Sequence, residues 1–174
     1  MTKPRVFILD VDGVMTNGQF LYSEQGKVYK IFGPDDNDGL ALVRPHMEIR
    51  FLTSDKRGLP ITRKRIEEDM NYPLDLVGAV ERVDWIAEHY PLEEVIYMGD
   101  GILDHYVFRK VAYAIAPANA SPLAKRYAHH VTERAGGDRA VAEACLHILE
   151  RFFDPYDPEA PISTKVARSV RWTA

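Results

Sequence analysis

The chain has 174 residues, with 22 basic and 26 acidic side chains and a formal net charge of −4. That length suits one domain, which buries about 70% of the surface of its unfolded chain and needs no disulfide or structural metal to fold. The charge balance gives no broad basic footprint for nucleic acid. The single Cys145 excludes an intrachain disulfide framework and any multi-cysteine metal site. No apolar run approaches the roughly 18 residues of a membrane span. Met1–Arg5 leads into an apolar segment too short for a secretory signal, so no membrane partner and a cytoplasmic location are expected.

Val6-Phe7-Ile8-Leu9 is a short, β-rich apolar run ending on an acid, the pattern of a fully buried parallel strand. In the Asp10-Val11-Asp12-Gly13 that follows, residues i and i+2 of extended chain point to one side, so Asp10 and Asp12 project together. Two carboxylates so close resist joint ionisation unless a cation or hydrogen-bond donors compensate. Taken alone, the motif also fits an acidic turn. Gly18–Ser23 and Lys27–Phe32, joined by Glu24-Gln25-Gly26, read as a β-hairpin over about residues 18–32 that projects from the loop after the first strand. Gly33 to Gly39 reads as a turn-rich acidic loop.

A second buried strand, Ile49–Thr53, ends in the hydroxyls of Thr53 and Ser54. Arg63-Lys64-Arg65 ahead of Glu67-Glu68-Asp69 predicts a solvated helix with i,i+4 ion pairs. Val83, Ile86, Ala87 and Tyr90 mark one face of a helix that Arg82 opens. The strand Val95–Met98 then leads into Gly99-Asp100-Gly101-Ile102-Leu103-Asp104, a second glycine-flanked, acid-rich strand end. Ala112–Ala116 is a weaker strand, and Ser121-Pro122 reads as an N-cap with proline at the first helical position. His129 and His130, adjacent on a strand, are expected to point to opposite faces and not to form a metal pair. Gly136-Gly137-Asp138 precedes a final helix with Val141, Cys145, Ile148, Leu149 and Phe152 on its apolar face.

Strands alternating with helices predict an α/β fold, a doubly wound Rossmann-like parallel sheet over residues 1–153 with functional groups at the carboxyl ends of its strands. Residues 154–174, with prolines and the basic Lys165, Arg168 and Arg171, read as an extended tail. Asp10, Asp12, Asp100 and Asp104 on one side of such a sheet form a hard oxygen site suited to Mg²⁺.

The ordered set of strand-Asp-x-Asp-Gly, strand-Thr/Ser, a basic residue and strand-Gly-Asp-Gly-x-x-Asp resembles the haloacid dehalogenase-like phosphohydrolase superfamily, from about residue 5 to 152. The short gap after Asp12 leaves no room for a large cap domain. The hairpin after Asp-Gly-Val-Met-Thr-Asn-Gly, Asp38-Gly39 and Gly136-Gly137-Asp138-Arg139-Ala140-Val141 are similar to the capless phosphatases of 3-deoxy-D-manno-octulosonate 8-phosphate and nonulosonate 9-phosphates.

The resemblance implies roles residue by residue. Asp10 is the nucleophile that becomes an aspartyl phosphate, and Asp12 is the general acid and then base. Mg²⁺ sits on Asp10, the main-chain carbonyl of Asp12 and Asp100, with Asp104 close by. Thr53, Ser54, Arg82 and Gly13 surround the phosphoryl oxygens. It also implies a homotetramer in which one subunit's hairpin, and by hypothesis its basic tail, serves a neighbour's site. This chain departs from the subgroup pattern where Arg82 replaces the usual Lys, where Ser54-Asp55 replaces Gly-Arg after Thr53, and where Arg139 replaces a glycine. Two other readings are a phospho-acceptor signalling domain, which the second acidic motif and the hairpin fit poorly, and a catalytically silent assembly module. No P-loop is present.

Overall fold

The computed structural model describes residues 3–161. Its main sheet contains β1 (Val6–Asp10), β4 (Glu48–Thr53), β5 (Leu74–Leu76), β6 (Val95–Met98), β7 (Tyr113–Ala116) and β8 (His130–Val131), and β2 (Thr16–Ser23) and β3 (Gly26–Phe32) form a separate antiparallel hairpin. The six-stranded sheet runs in the order β5-β4-β1-β6-β7-β8, and every pairing is parallel. From β1 the chain moves outward through β4 and β5, then returns to β6 on the other side. The strand order therefore reverses between β1 and β6, where sheets of this kind bind ligands at the carboxyl ends. No cap domain interrupts the described chain.

The helices are α1 (Asp36–Val43), α2 (Leu59–Arg63), α3 (Arg82–His89), α4 (His105–Phe108), α5 (Pro122–Tyr127) and α6 (Ala140–Phe152). Alternation along β1 divides the core into two layers. Phe7 and Leu9 join Leu40 and Val43 of α1 and Val141, Cys145 and Ile148 of α6. Val6 and Ile8 join Ile86 of α3, Phe108 of α4 and Ala124 of α5. Each such fully buried large side chain contributes about 1.5–3 kcal/mol of transfer free energy. The Ser121 cap is present, its hydroxyl accepting the Ala124 N–H at 3.1 Å.

Three local expectations change. The acidic segment before Gly39 is not all loop, because α1 begins at Asp36. Asp36 is buried, and its Oδ1 accepts the Ala142 N–H of α6 at 3.0 Å. A Cβ on Gly39 would stand 2.6 Å from Ala142 Cα, so the close α1–α6 approach sets this helix and not local propensity. β5, three residues long, is too short for a periodic signal and has no counterpart in the sequence reading, whereas β8 falls at the strand expected around His129 and His130. The helix over Lys64–Asp69 carries the expected pairs, Arg63–Glu67 at 3.4 Å and Lys64–Glu68 at 2.9 Å, but winds as a π-helix.

The two histidines take different partners. His129 Nδ1 accepts the Ala114 N–H, whereas the His130 ring stacks on His147 at 3.8 Å. Beyond α6, residues 154–161 carry neither helix nor strand, and Lys165, Arg168 and Arg171 lie outside the described residues. Among the described residues no helix is long and apolar enough to cross a membrane.

Candidate active site

Parallel register brings the strand ends to one level. Asp10 pairs with Leu52, and Leu9 with Met98, so the β1, β4 and β6 termini deliver Asp10, Thr53 and Asp100 together. Carboxylate oxygens of Asp10, Asp100 and Asp104 all lie within 4.8 Å of one another. Burial, with Asp10 and Asp104 beside it, pushes the Asp100 pKa up to about 8. Burial, and then Asp10, also raises the pKa of Asp104. Three carboxylates converging in this way, Asp100 and Asp104 among them resisting ionisation, are a site built for a cation, and their all-oxygen donors suit a hard divalent ion.

Gly13 makes room for the cluster. It has φ +87°, and a Cβ there would fall 2.1 Å from Asp100 Oδ2. Its carbonyl accepts the Asn119 amide at 3.0 Å, and Asn119 Oδ1 accepts the Gly136 N–H at 2.6 Å. A Cβ on Gly136 would overlap the Gly13 carbonyl at 2.0 Å. The late glycine pair is therefore the floor on which the Asp12-Gly13 turn rests, which gives that motif its physical reason.

Arg82 is buried within this cluster rather than solvated, as a charge at a helix start usually is. Its two terminal nitrogens hold both Asp10 oxygens, and Nη1 also reaches Asp104 Oδ1 and the Tyr97 hydroxyl. Tyr97 donates to Asp104 at 2.8 Å, and Asp104 Oδ2 accepts the Gly101 N–H at 2.7 Å. Thr53 is fully buried, and its hydroxyl accepts the Asp55 N–H at 3.1 Å, shaping the loop that presents Ser54. Asp12 meets Lys30 of the hairpin, whose Nζ is 2.8 Å from Oδ1 and 2.9 Å from Oδ2. Burial raises the Asp12 pKa, and the Lys30 hydrogen bond opposes the rise.

A cavity of about 340 Å³ opens over these groups, with Asp10, Asp12, Arg82 and Asp100 at its base and Phe20, Ser54 and Ile102 among its walls. A larger groove of about 810 Å³ lies at the amino ends of the strands, lined by residues such as Arg44, His46, Tyr72 and Tyr90. It carries none of the acidic cluster, so the smaller cavity is the one with the chemistry. Lys30, Tyr97 and Asn119 are site residues that sequence patterns do not single out. A lysine in a hairpin, a tyrosine in a buried strand and an asparagine in a loop have ordinary structural uses.

The family model for haloacid dehalogenase-like hydrolases matches residues 83–144. The 3-deoxy-D-manno-octulosonate 8-phosphate phosphatase of Yersinia pestis is 31% identical over 155 residues, covering 83% of this chain and 79% of that protein. The chain belongs to the haloacid dehalogenase-like hydrolases. It is a phosphatase. The cobalt-bound deoxy-D-mannose-octulosonate 8-phosphate phosphatase of Haemophilus influenzae superposes on this phosphatase with a TM-score of 0.74 at 28% identity, over 84% of this chain and 85% of that one. A haloacid dehalogenase family hydrolase from Streptomyces avermitilis shares the fold, with a TM-score of 0.75 at 24% identity over 92% of this chain and 94% of that one.

Proposed function

We propose that this phosphatase is a Mg²⁺-dependent phosphomonoesterase for a small phosphorylated sugar acid of the 3-deoxy-octulosonate 8-phosphate or nonulosonate 9-phosphate type. The observation that carries this reading is the convergence of Asp10, Asp100 and Asp104 within 4.8 Å at the floor of a small cavity that Asp12 also lines. The Yersinia pestis and Haemophilus influenzae phosphatases, named for an octulosonate 8-phosphate, support the substrate class.

Asp10, Asp100 and the main-chain carbonyl of Asp12 would hold Mg²⁺, with Asp104 beside them. When bound, the ion offsets repulsion between a dianionic phosphate and the carboxylates. An Asp10 oxygen attacks phosphorus, forming an aspartyl phosphate as the bond from phosphorus to the sugar oxygen breaks. Asp12 gives its proton to the departing oxygen, then takes one from the water that cleaves the acyl phosphate. Arg82 orients Asp10 for attack through its two-nitrogen grip, with one nitrogen shared with Asp104. Ser54 faces the cavity where a phosphoryl oxygen would sit.

Residues 1–153 form the catalytic domain in this reading, with 154–174 as a tail. The hairpin exposes Leu21, Tyr22, Tyr29 and Ile31, an apolar surface that supports assembly as a homotetramer. A monomer by light scattering at working concentration would remove the tetramer. The function is tested by phosphate release with and without Mg²⁺, beside Asp10→Asn, across octulosonate 8-phosphate, nonulosonate 9-phosphates, hexose phosphates and an aryl phosphate. Mg²⁺-dependent release that is lost in the variant and fastest on a sugar-acid phosphate is expected. Release that survives Asp10→Asn overturns the mechanism, and a preference for hexose phosphates overturns the substrate class.

A further inference from the structure

We propose that Lys30 is a positioning residue that orients the Asp12 carboxylate, and that Asp55 fixes Lys30 for this purpose. The inference rests on the reading of Asp12 as the acid–base group.

The Lys30 side chain is fully buried at 0% exposure although it arises from the projecting hairpin. An ammonium has three N–H donors. Lys30 donates to Asp12 and to Thr62 Oγ1 at 2.8 Å, and its Nζ makes an ion pair with Asp55 Oδ2 at 2.9 Å. A buried cation is tolerated only where such partners replace its lost hydration. Among the described residues Lys30 is the hydrogen-bond donor to the Asp12 side chain. Its Nζ sits astride the carboxylate, with the aligned bond on Oδ2 and no aligned donor at the buried Oδ1.

Asp55 is built into the arrangement. Its Oδ1 accepts the Gly58 N–H at 3.0 Å, while its Oδ2 holds both Lys27 and Lys30. Lys27 Nζ also lies 3.4 Å from the centre of the Phe20 ring, tying the second lysine to the hairpin's other strand. Gly58 has no side chain where one would collide, since a Cβ would stand 2.1 Å from Asp55 Oδ2 and 2.7 Å from Lys30 Cε. The alternating chain Lys27–Asp55–Lys30–Asp12 thus runs from the hairpin and the loop after β4 to one carboxylate at the cavity. Rotation of Asp12 away from the cavity costs that carboxylate its bond to Lys30.

A fold anchor and a positioning residue differ in how their loss depends on the leaving group. An alkoxide needs a proton as it departs, whereas a nitrophenolate leaves without one, so a misplaced acid slows departure of the first alone. Hydrolysis of the aspartyl phosphate is common to both esters, and kcat/KM, which reports only the steps up to that departure, separates the two roles of Asp12. The test measures kcat and KM of the full chain on p-nitrophenyl phosphate and on the fastest sugar phosphate of the panel above, for Lys30→Met, Asp55→Asn and Asp12→Asn. Lys30→Met is expected to lower kcat/KM on the sugar phosphate roughly tenfold more than on the aryl ester. Asp55→Asn is expected to show the same selectivity in smaller measure, and it decides the matter if Lys30→Met does not fold. Equal losses of kcat/KM on both esters for Lys30→Met and Asp55→Asn, with Asp12→Asn selective, overturn this inference alone. Equal losses for Asp12→Asn overturn the acid–base reading and this inference with it.

Discussion

Arg82 and Asp10, far apart in sequence, meet through two parallel contacts: Nη1 to Oδ2 at 2.7 Å and Nη2 to Oδ1 at 3.0 Å. Both are nearly withdrawn from water, with side-chain exposures of 3% and 12%. The same Nη1 lies 3.0 Å from Asp104 Oδ1 and 2.6 Å from the Tyr97 hydroxyl. Removing one partner of such a buried pair leaves an uncompensated charge, at a cost of about 3–5 kcal/mol. Arg82→Met is therefore expected to lose stability on that scale in urea unfolding and to lose turnover. Arg82→Lys keeps the charge but not the fork, so it should fold better than Arg82→Met and retain part of kcat. An Arg82→Met protein as stable as the parent would mean that the pair carries no stability.

Asp100 is expected to make metal binding pH-dependent. Burial first, then Asp10 and Asp104, raise its pKa to about 8, so the metal-free site holds a proton there below that pH. A metal takes the ionised form, and affinity for Mg²⁺ should rise with pH by up to about tenfold per unit and level off above about 8. The folded pKa lies above the ordinary 3.8, so the metal-free protein loses the matching stability as pH rises from about 4 to 8, and Mg²⁺ restores it. Calorimetry in buffers of different ionisation enthalpy measures the proton release directly. A pH-independent affinity with no proton release would contradict this.

Gly13→Ala should abolish turnover while leaving most of the fold intact. The added methyl would stand 2.1 Å from Asp100 Oδ2, and the φ of +87° is one that only glycine adopts without strain. The strain is on the order of 1–2 kcal/mol, tolerable for a domain, but the displaced Asp100 cannot rejoin the cluster. Metal-dependent stabilisation in a thermal melt should vanish together with kcat. Retention of both would show that the turn yields more readily than the contact implies.

Asp36 offers a test away from the site. Burial, more than its bond to the Ala142 N–H relieves, pushes its pKa up to about 6. Its pKa in the unfolded chain is near 3.8, so the protonated form stabilises the fold and that contribution is lost as pH rises from about 4 to 6. Asp36→Asn cannot titrate. The stability of the variant relative to the parent should thus improve by on the order of 2–3 kcal/mol between pH 4 and pH 7. Parallel pH profiles for the two proteins would rule out a raised pKa at Asp36.

The sequence by itself determined β1, β4, β6 and β7, the hairpin, the capped start of α5 and the apolar face of α6, because short-range alternation and capping are local properties. It also marked Asp10, Asp12, Asp100 and Asp104, since acids after apolar strands stand at strand ends whatever the rest of the chain does. What Arg82 touches was decided only by the tertiary structure. Its partner Asp10 is 72 residues away, and no local pattern distinguishes a buried helix-start arginine from a solvated one. The same holds for Lys30, which meets Asp12 across 18 residues and Thr62 across 32, and for Asn119, which supports Gly13 from 106 residues away. The helical start at Asp36 belongs with these, because α6 and not the acidic stretch itself holds it. Periodicity assigns a side chain to a face of the sheet, but which charge it meets there depends on how separate loops converge above that face.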